Sequence, residues 1–278
     1  MAILAGLVAL YREQGIEICS GLSPQRFTGL PHAPFTRFIR DGRSLTAGLG
    51  IAPQEIYLLE HLFAAYQPRR VIIVGNSLGW STIAMGLLLP DSRIVAMDSG
   101  LEENSLYGIG LTNRIGAAAD LPTRAVRGTS PGDVAAVANG ELGGAIDFAF
   151  DGLHTNAQVV LDYEAVHERA AGDAVALFHD VHAFNLYEGL TKIERIAGLA
   201  ARPLAATPSG MALLYDPAAH PELDGAIAAF APSEPALALV DRETTHARRL
   251  RRWRLIRRVR HRLARLSTLT RGTRPAVP

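Results

Sequence analysis

From Arg69 to Tyr215 the chain alternates short apolar runs with helical stretches, and this alternation restricts the fold more than any other feature. Arg70–Val74 (RVIIV) reads as a buried strand, Ser81–Leu88 as a helix, Arg93–Met97 (RIVAM) as a second strand and Tyr107–Ala119 as a helix. Thr123–Val126 is a short third strand, followed by a helix over Pro131–Asn139. Ile146–Phe150 (IDFAF) is the fourth strand and Ala174–Phe178 (AVALF) the fifth, with helices over Asn156–Ala171 and Leu186–Ala200. Pro203–Ala206 and Met211–Tyr215 form a hairpin across Thr207-Pro208-Ser209-Gly210. Strands that alternate with helices build βαβ units and a parallel sheet, joined by right-handed crossovers. The expected architecture is a doubly wound, Rossmann-like α/β sheet, mostly parallel with an antiparallel last strand. Ligands on such sheets bind beyond the carboxyl ends of the strands, where the strand order reverses. The residues just after each strand are therefore the candidates for a site.

Four segments are expected: an N-terminal helical cap over 1–68, the sheet domain over 69–216, a linker over 217–245 and a tail over 246–278. In the cap, helices over Ile3–Gln14 and Pro53–Tyr66 flank a Gly- and Pro-containing stretch from Ser20 to Gly50, which is expected to shape an acceptor pocket. Pro53 suits a first helical turn, and Leu58, Leu59, Leu62 and Phe63 share one face. The opening MAILAGLVALY has no basic flank and no convincing cleavage site, so it reads as a packed helix rather than a signal peptide. No apolar run approaches the ~20 residues that span a bilayer. Cys19 is the one cysteine, which leaves no intrachain disulfide and fits a reducing, cytoplasmic setting; a small buried role is expected for it.

The formal net charge of +1 hides an asymmetry. Twelve of the 28 basic residues are arginines between Arg248 and Arg274, with no acid after Glu243, so the first 243 residues carry 16 basic against 27 acidic residues, a net of −11. In the tail, Leu250, Trp253, Ile256, Val259, Leu263 and Leu266 recur at helical spacing. A basic amphipathic helix of this kind fits an anionic membrane face or an acidic partner, ahead of nucleic acid. A stripe that packs on the domain or forms a homo-oligomer is the competing reading.

The first strand runs into Gly75-Asn76-Ser77-Leu78-Gly79, where two glycines allow a tight turn and close approach of a ligand. Ser81 is placed to cap the helix that follows. Asp98, with Ser99 beside it, ends the second strand 23 residues after Gly75, where a carboxylate can accept hydrogen bonds from ribose hydroxyls. The pair points to an adenosine-containing cofactor. The G-x-x-x-G spacing lacks the pyrophosphate-cradling G-x-G-x-x-G pattern and tilts away from a dinucleotide.

The fourth strand ends in Asp151-Gly152-Leu153-His154 and the fifth in His179-Asp180-Val181-His182. Neighbouring strands would bring Asp151, His154, His179 and Asp180 into one small volume. Two carboxylates with an imidazole suit a divalent cation, and a remaining histidine can serve as a base near neutral pH. Each residue also has a structural reading, since an Asp at a strand end often caps a turn.

VIIVGNSLGWSTIAMGLLLPDSRIVAMDSG resembles the first two motifs of class I, S-adenosylmethionine-dependent methyltransferases related to the catechol type. IDFAFDGLHTNAQVVLDYEAVHERAAGDAVALFHDV resembles the fourth-and-fifth-strand region of the bacterial branch with macrolide-sugar O-methyltransferases. The resemblance covers roughly Val71–Tyr215. It implies that Gly75, Asn76, Ser77, Gly79, Asp98, Ser99, Thr129, Ser130 and Asp151 bind the cofactor, with Gly128-Thr129-Ser130 at the adenine. It implies Mg2+ or Mn2+ on Asp151, His179 and Asp180, and His154 where the relatives carry a lysine base. Two positions depart from the pattern: Ile73 replaces the acid two residues before the first glycine, and His179-Asp180 replaces an Asp-Asn pair.

The resulting expectation is an O-methyltransferase for a small hydroxylated molecule, a sugar or natural product. It would be cytoplasmic, with peripheral membrane contact through the tail. The alternatives are a catalytically silent protein that retains the cofactor site and an NAD-dependent enzyme of similar fold.

Overall fold

All of Val71–Val74 is buried, because both faces of this strand are covered by helices. A computed structural model describes residues 3–19, 35–45, 50–152, 155–236 and 238–239. The elements are α1 (Leu4–Glu13), β1 (Glu17–Cys19), β2 (Arg37–Arg40), β3 (Arg43–Ser44), α2 (Pro53–Ala65), β4 (Arg70–Val74), α3 (Trp80–Leu88), β5 (Arg93–Asp98), α4 (Ser105–Ala118), β6 (Thr123–Arg127), α5 (Val134–Ala136), β7 (Ile146–Asp151), α6 (Asn156–His167), β8 (Ala170–Phe178), α7 (Tyr187–Ala197), β9 (Arg202–Leu204), β10 (Met211–Leu214) and α8 (Glu222–Ile227).

Seven strands form the main sheet in the order β6-β5-β4-β7-β8-β10-β9. The first five are parallel, and β10 runs antiparallel to both β8 and β9. The order reverses between β4 and β7, so the carboxyl ends of these two strands flank the switch point. Side-chain alternation along β4 divides the interior in two. Val71 and Ile73 join Leu7, Leu58, Leu62, Ile83, Leu111 and Leu223 on one side. Ile72 and Val74 join Val134, Val159, Tyr163, Leu190 and Ile193 on the other. Each such side chain contributes about 1.5–3 kcal/mol relative to exposure.

Helix starts are set locally. Pro53 occupies the first turn of α2, where the Glu55 carboxylate accepts the Ala52 N–H at 2.8 Å. Thr155 caps α6 by accepting the Gln158 N–H at 3.2 Å.

Several expectations need correction. In the N-terminal segment expected as a helical cap over 1–68, the described residues Leu7, Tyr11, Ile16, Phe38 and Ile51 are buried in the same cluster as the sheet. Their segment adds a small antiparallel sheet, β1-β2-β3, that the sequence did not announce. Cys19 ends β1 partly exposed, not buried. Residues 217–231 are not a linker, since Leu223, Ile227 and Phe230 are buried and α8 lies among them. The helix expected over Pro131–Asn139 is the short α5 followed by wide π-type turns over Val137–Leu142, which keep Val137, Ala138 and Leu142 buried. Strand β8 begins at Ala170, within the expected helix, because Ala170 pairs with Ile146 on β7.

The chain divides into two units, Met1–Ala231 and Pro232–Pro278. The arginine-rich tail lies outside the described residues. Among the described residues no helix is long and apolar enough to cross a membrane.

Candidate functional site

Beyond β4 the backbone turns through left-handed conformations at Gly75 (φ +94°), Ser77 (φ +46°) and Gly79 (φ +82°). The two glycines serve different purposes. A Cβ on Gly75 would meet nothing within 4 Å, so this stretch of main chain faces open space. A Cβ on Gly79 would lie 2.0 Å from Thr112 Oγ1, so here the constraint is packing against α4. Gly79 is also the residue that precedes α3, and no side chain caps that helix; Ser81, the expected cap, lies inside it and is buried. Asn76 departs from its expected role in its side chain, which is 2% exposed. Its Oδ1 accepts the Thr82 hydroxyl at 3.0 Å and its Nδ2 donates to Thr112 Oγ1 at 3.1 Å, so it bolts the turn to α3 and α4.

The turn is buttressed from behind. The Tyr11 hydroxyl donates to the Leu78 carbonyl at 2.7 Å. Tyr11, Phe38 and Trp80 pack in tilted and edge-to-face contact with ring centroids 5.3–5.8 Å apart, and Trp80 Nε1–H donates to the Ile51 carbonyl at 3.1 Å. Burial pushes the Tyr11 phenol well above its usual range, so it remains a donor.

Asp98, at the end of β5, reaches the same turn. Its Oδ2 accepts the N–H groups of Asn76 (3.1 Å) and Ser77 (2.8 Å), and its Oδ1 accepts the Gly100 N–H at 2.9 Å. A carboxylate has about four acceptor sites, so it can hold the turn and still accept from a ligand. Ser99 is engaged locally: its Oγ accepts the Leu101 N–H and its carbonyl accepts Arg127 Nε–H, both at 3.3 Å.

After β6, the Asp133 carboxylate accepts both the Thr129 N–H (2.7 Å) and the Thr129 hydroxyl (3.0 Å), and these bonds hold it below the usual carboxylate range. The donors of Thr129 are thus used within the turn. The Ser130 carbonyl accepts Gln158 Nε2–H at 3.2 Å, and the same amide donates to Asp162 Oδ1 at 2.8 Å. Burial pushes the Asp162 carboxyl above its usual range.

The ends of β7 and β8 are adjacent, as expected, and the His179 N–H donates to the Asp151 carbonyl at 2.9 Å. Asp151, His179 and Asp180 are all buried. The His179 ring is engaged at both nitrogens, Nδ1 3.0 Å from Asp180 Oδ2 and Nε2 3.3 Å from Glu55 Oε2. Glu55 comes from α2 and is fully buried. Its Oε1 accepts the Ser209 N–H at 3.0 Å and the Ser209 hydroxyl. Burial disfavours the charged forms of both groups. The two carboxylates outweigh it at His179, whose pKa is pushed up to about 10, while His179, Ser209 and the Ala52 N–H hold Glu55 below the usual carboxylate range.

Among the described residues, the expected ligand set of Asp151, His179 and Asp180 does not fit a divalent cation. A histidine ligates metal through a neutral ring nitrogen with a free lone pair, and both nitrogens of His179 are committed to carboxylates. Among the described residues no group of three or more His, Cys, Asp and Glu side chains could hold a metal ion. His154 lies outside the described residues. His182 Nδ1 pairs with the Tyr187 hydroxyl at 2.8 Å.

Glu55, Ser209 and Tyr11 escaped the sequence reading. The position of Glu55 after Pro53 signals a helix start, which it does serve, but nothing local points to a partner 124 residues away.

No protein-family model matches the sequence, and no curated protein matches it. Solved structures match in fold. One is the O-methyltransferase from Bacillus cereus in complex with SAH, at 15% identity over 62% of this chain and 84% of that one, TM-score 0.50. Another is the O-methyltransferase TomG from Streptomyces achromogenes, involved in tomaymycin synthesis, in complex with SAM, at 16% identity over 77% and 89%, TM-score 0.48. The Bacillus cereus likeness shows that this chain shares the Rossmann-like α/β fold of that enzyme.

Proposed function

We propose that this protein is an S-adenosylmethionine-dependent O-methyltransferase for the hydroxyl group of a small molecule. The observation that carries this reading is Asp98 at the end of β5. It shares its carboxylate with the N–H groups of a glycine turn whose Gly75 faces open space, next to the reversal in strand order. A ribose diol suits that carboxylate, and the short turn leaves no pyrophosphate cradle. Gly128-Thr129-Ser130, at the end of the neighbouring strand, suits the adenine.

When bound, the cofactor supplies a methyl group on a sulfonium. The acceptor oxygen forms a bond to that carbon as the carbon–sulfur bond breaks, and its proton must pass to a base. The strand-end acids Asp151 and Asp180 are suited to orient the hydroxyl. His154, three residues beyond Asp151, is suited to take the proton. Orientation is the main contribution asked of the chain, since alignment of the reacting atoms supplies much of such a barrier reduction.

Calorimetric titration with S-adenosylhomocysteine and with NAD tests the reading. Saturable one-to-one binding of the first, with none of the second, is expected. Binding of NAD alone, or of neither, overturns it.

A further inference from the structure

We propose that Glu55 is a positioning residue of this site, and that through His179 it fixes the carboxylate of Asp180 with an imidazole bridge where the resemblance expects a divalent cation. This rests on the methyltransferase reading for its purpose, though the bridge itself does not.

Ionised carboxylates accept only. With Glu55 Oε2 at 3.3 Å and Asp180 Oδ2 at 3.0 Å, the ring of His179 donates at both nitrogens and keeps no lone pair for a cation. The bridge cannot swing aside, because Glu55 is held from three elements. Ala52 N–H reaches it from just before α2, Ser209 N–H and Oγ–H from the β9–β10 connection, and His179 from the end of β8. Asp180 is held at its backbone too. It sits at φ +60°, and its carbonyl accepts the Phe184 N–H at 3.0 Å. A non-glycine residue keeps such a conformation where its surroundings impose it. A fully buried carboxylate is costly unless paired and hydrogen-bonded, so Glu55 is a specific counterpart to His179. In metal sites, outer partners that orient a ligand typically change activity or affinity 10- to 100-fold when removed; Glu55 has the same relation to the strand-end acid.

Side-chain NMR of 15N-histidine-labelled full-length protein tests this without an acceptor. Two slowly exchanging ring N–H resonances are expected for His179, identified through contacts with Phe150, whose ring centroid is 6.0 Å away. Added Mn2+ should leave both unbroadened, and electron paramagnetic resonance should find no saturable Mn2+ site. Glu55→Gln should shift or abolish the Nε2–H resonance, leave Nδ1–H in place, and keep S-adenosylhomocysteine affinity within about twofold, since the cofactor turn is untouched. A single ring N–H resonance, or one-to-one Mn2+ binding that broadens His179, overturns the proposal. The wild-type measurement decides even where Glu55→Gln fails to fold. Failure to bind S-adenosylhomocysteine with the bridge intact would instead count against the methyltransferase reading.

Discussion

Tyr11 in the first helix and Leu78 in the glycine turn lie 67 residues apart in sequence and share a buried 2.7 Å hydrogen bond. The bond joins the N-terminal segment to the turn on which the cofactor reading depends. Tyr11→Phe leaves the tilted and edge-to-face ring contacts in place but strands the Leu78 carbonyl. A buried acceptor without a partner costs about 1–3 kcal/mol, so urea unfolding should show that loss of stability. Weaker binding of S-adenosylhomocysteine should accompany it. Unchanged stability and affinity would mean that the turn holds its shape without α1.

Asp98 holds the turn, and substitutions can separate that from the ribose-accepting role proposed for it. Asp98→Ala removes the proposed ribose acceptor and also frees the N–H groups of Asn76, Ser77 and Gly100. Cofactor affinity should fall roughly ten- to a hundredfold, since a charge-assisted hydrogen bond is worth about 1.5–3 kcal/mol. Asp98→Asn keeps an acceptor oxygen for the turn and should lose less. Equal affinity across wild type and both variants in calorimetry would remove Asp98 from the site.

His154→Ala should lower kcat about 10²- to 10⁴-fold once an acceptor is known, the usual range for a general base, with cofactor affinity unchanged. An undiminished kcat would move the base elsewhere, with His182 the next residue to test.

The Glu55–His179 pair gives stability a defined pH dependence. The folded pKa of His179 is raised to about 10, above its unfolded value of about 6.5. Its contribution is therefore full below about pH 6.5 and declines as pH rises toward 10, because the folded state then binds more protons than the unfolded one. Glu55 is lowered, so its contribution is present above its unfolded pKa of about 4.3 and declines as pH falls through the folded value. Urea midpoints from pH 6 to 10 should decrease, and the slope should flatten in His179→Gln. A rising midpoint over this range would contradict the pairing.

The arginine-rich tail is proposed, from sequence alone, to bind an anionic surface. Deletion of residues 246–278 should preserve S-adenosylhomocysteine binding and abolish salt-sensitive co-sedimentation with anionic vesicles. If full-length protein ignores such vesicles at low salt and the deletion converts a dimer to a monomer, the tail is an assembly element.

The βαβ frame was legible because its signals are local. RVIIV, RIVAM and IDFAF are short apolar runs with both faces covered, and their ends carry the glycine turn, Asp98 and Asp151. Adjacency of Asp151 and His179 followed from the strand order that such a frame takes. The N-terminal sheet was illegible because β1, β2 and β3 are two to four residues long and acquire their partners only by pairing. Residues 217–231 looked like a linker because so short a helix has little periodicity of its own. What buries Leu223, Ile227 and Phe230 is the neighbouring face of the molecule.

The alternating elements, the positions of the strand ends and the chemical types of residue found there follow from neighbours a few residues away in the chain. The partners those residues take come from long-range packing. Packing of α2 against the end of β8 set Glu55 on the ring of His179 and turned an expected metal ligand into a doubly donating bridge. Burial beside Thr82 and Thr112 turned the side chain of Asn76 into a bolt. The physical reason is common to both. A polar side chain taken out of water must find partners within reach, and which partners lie within reach is set by long-range packing.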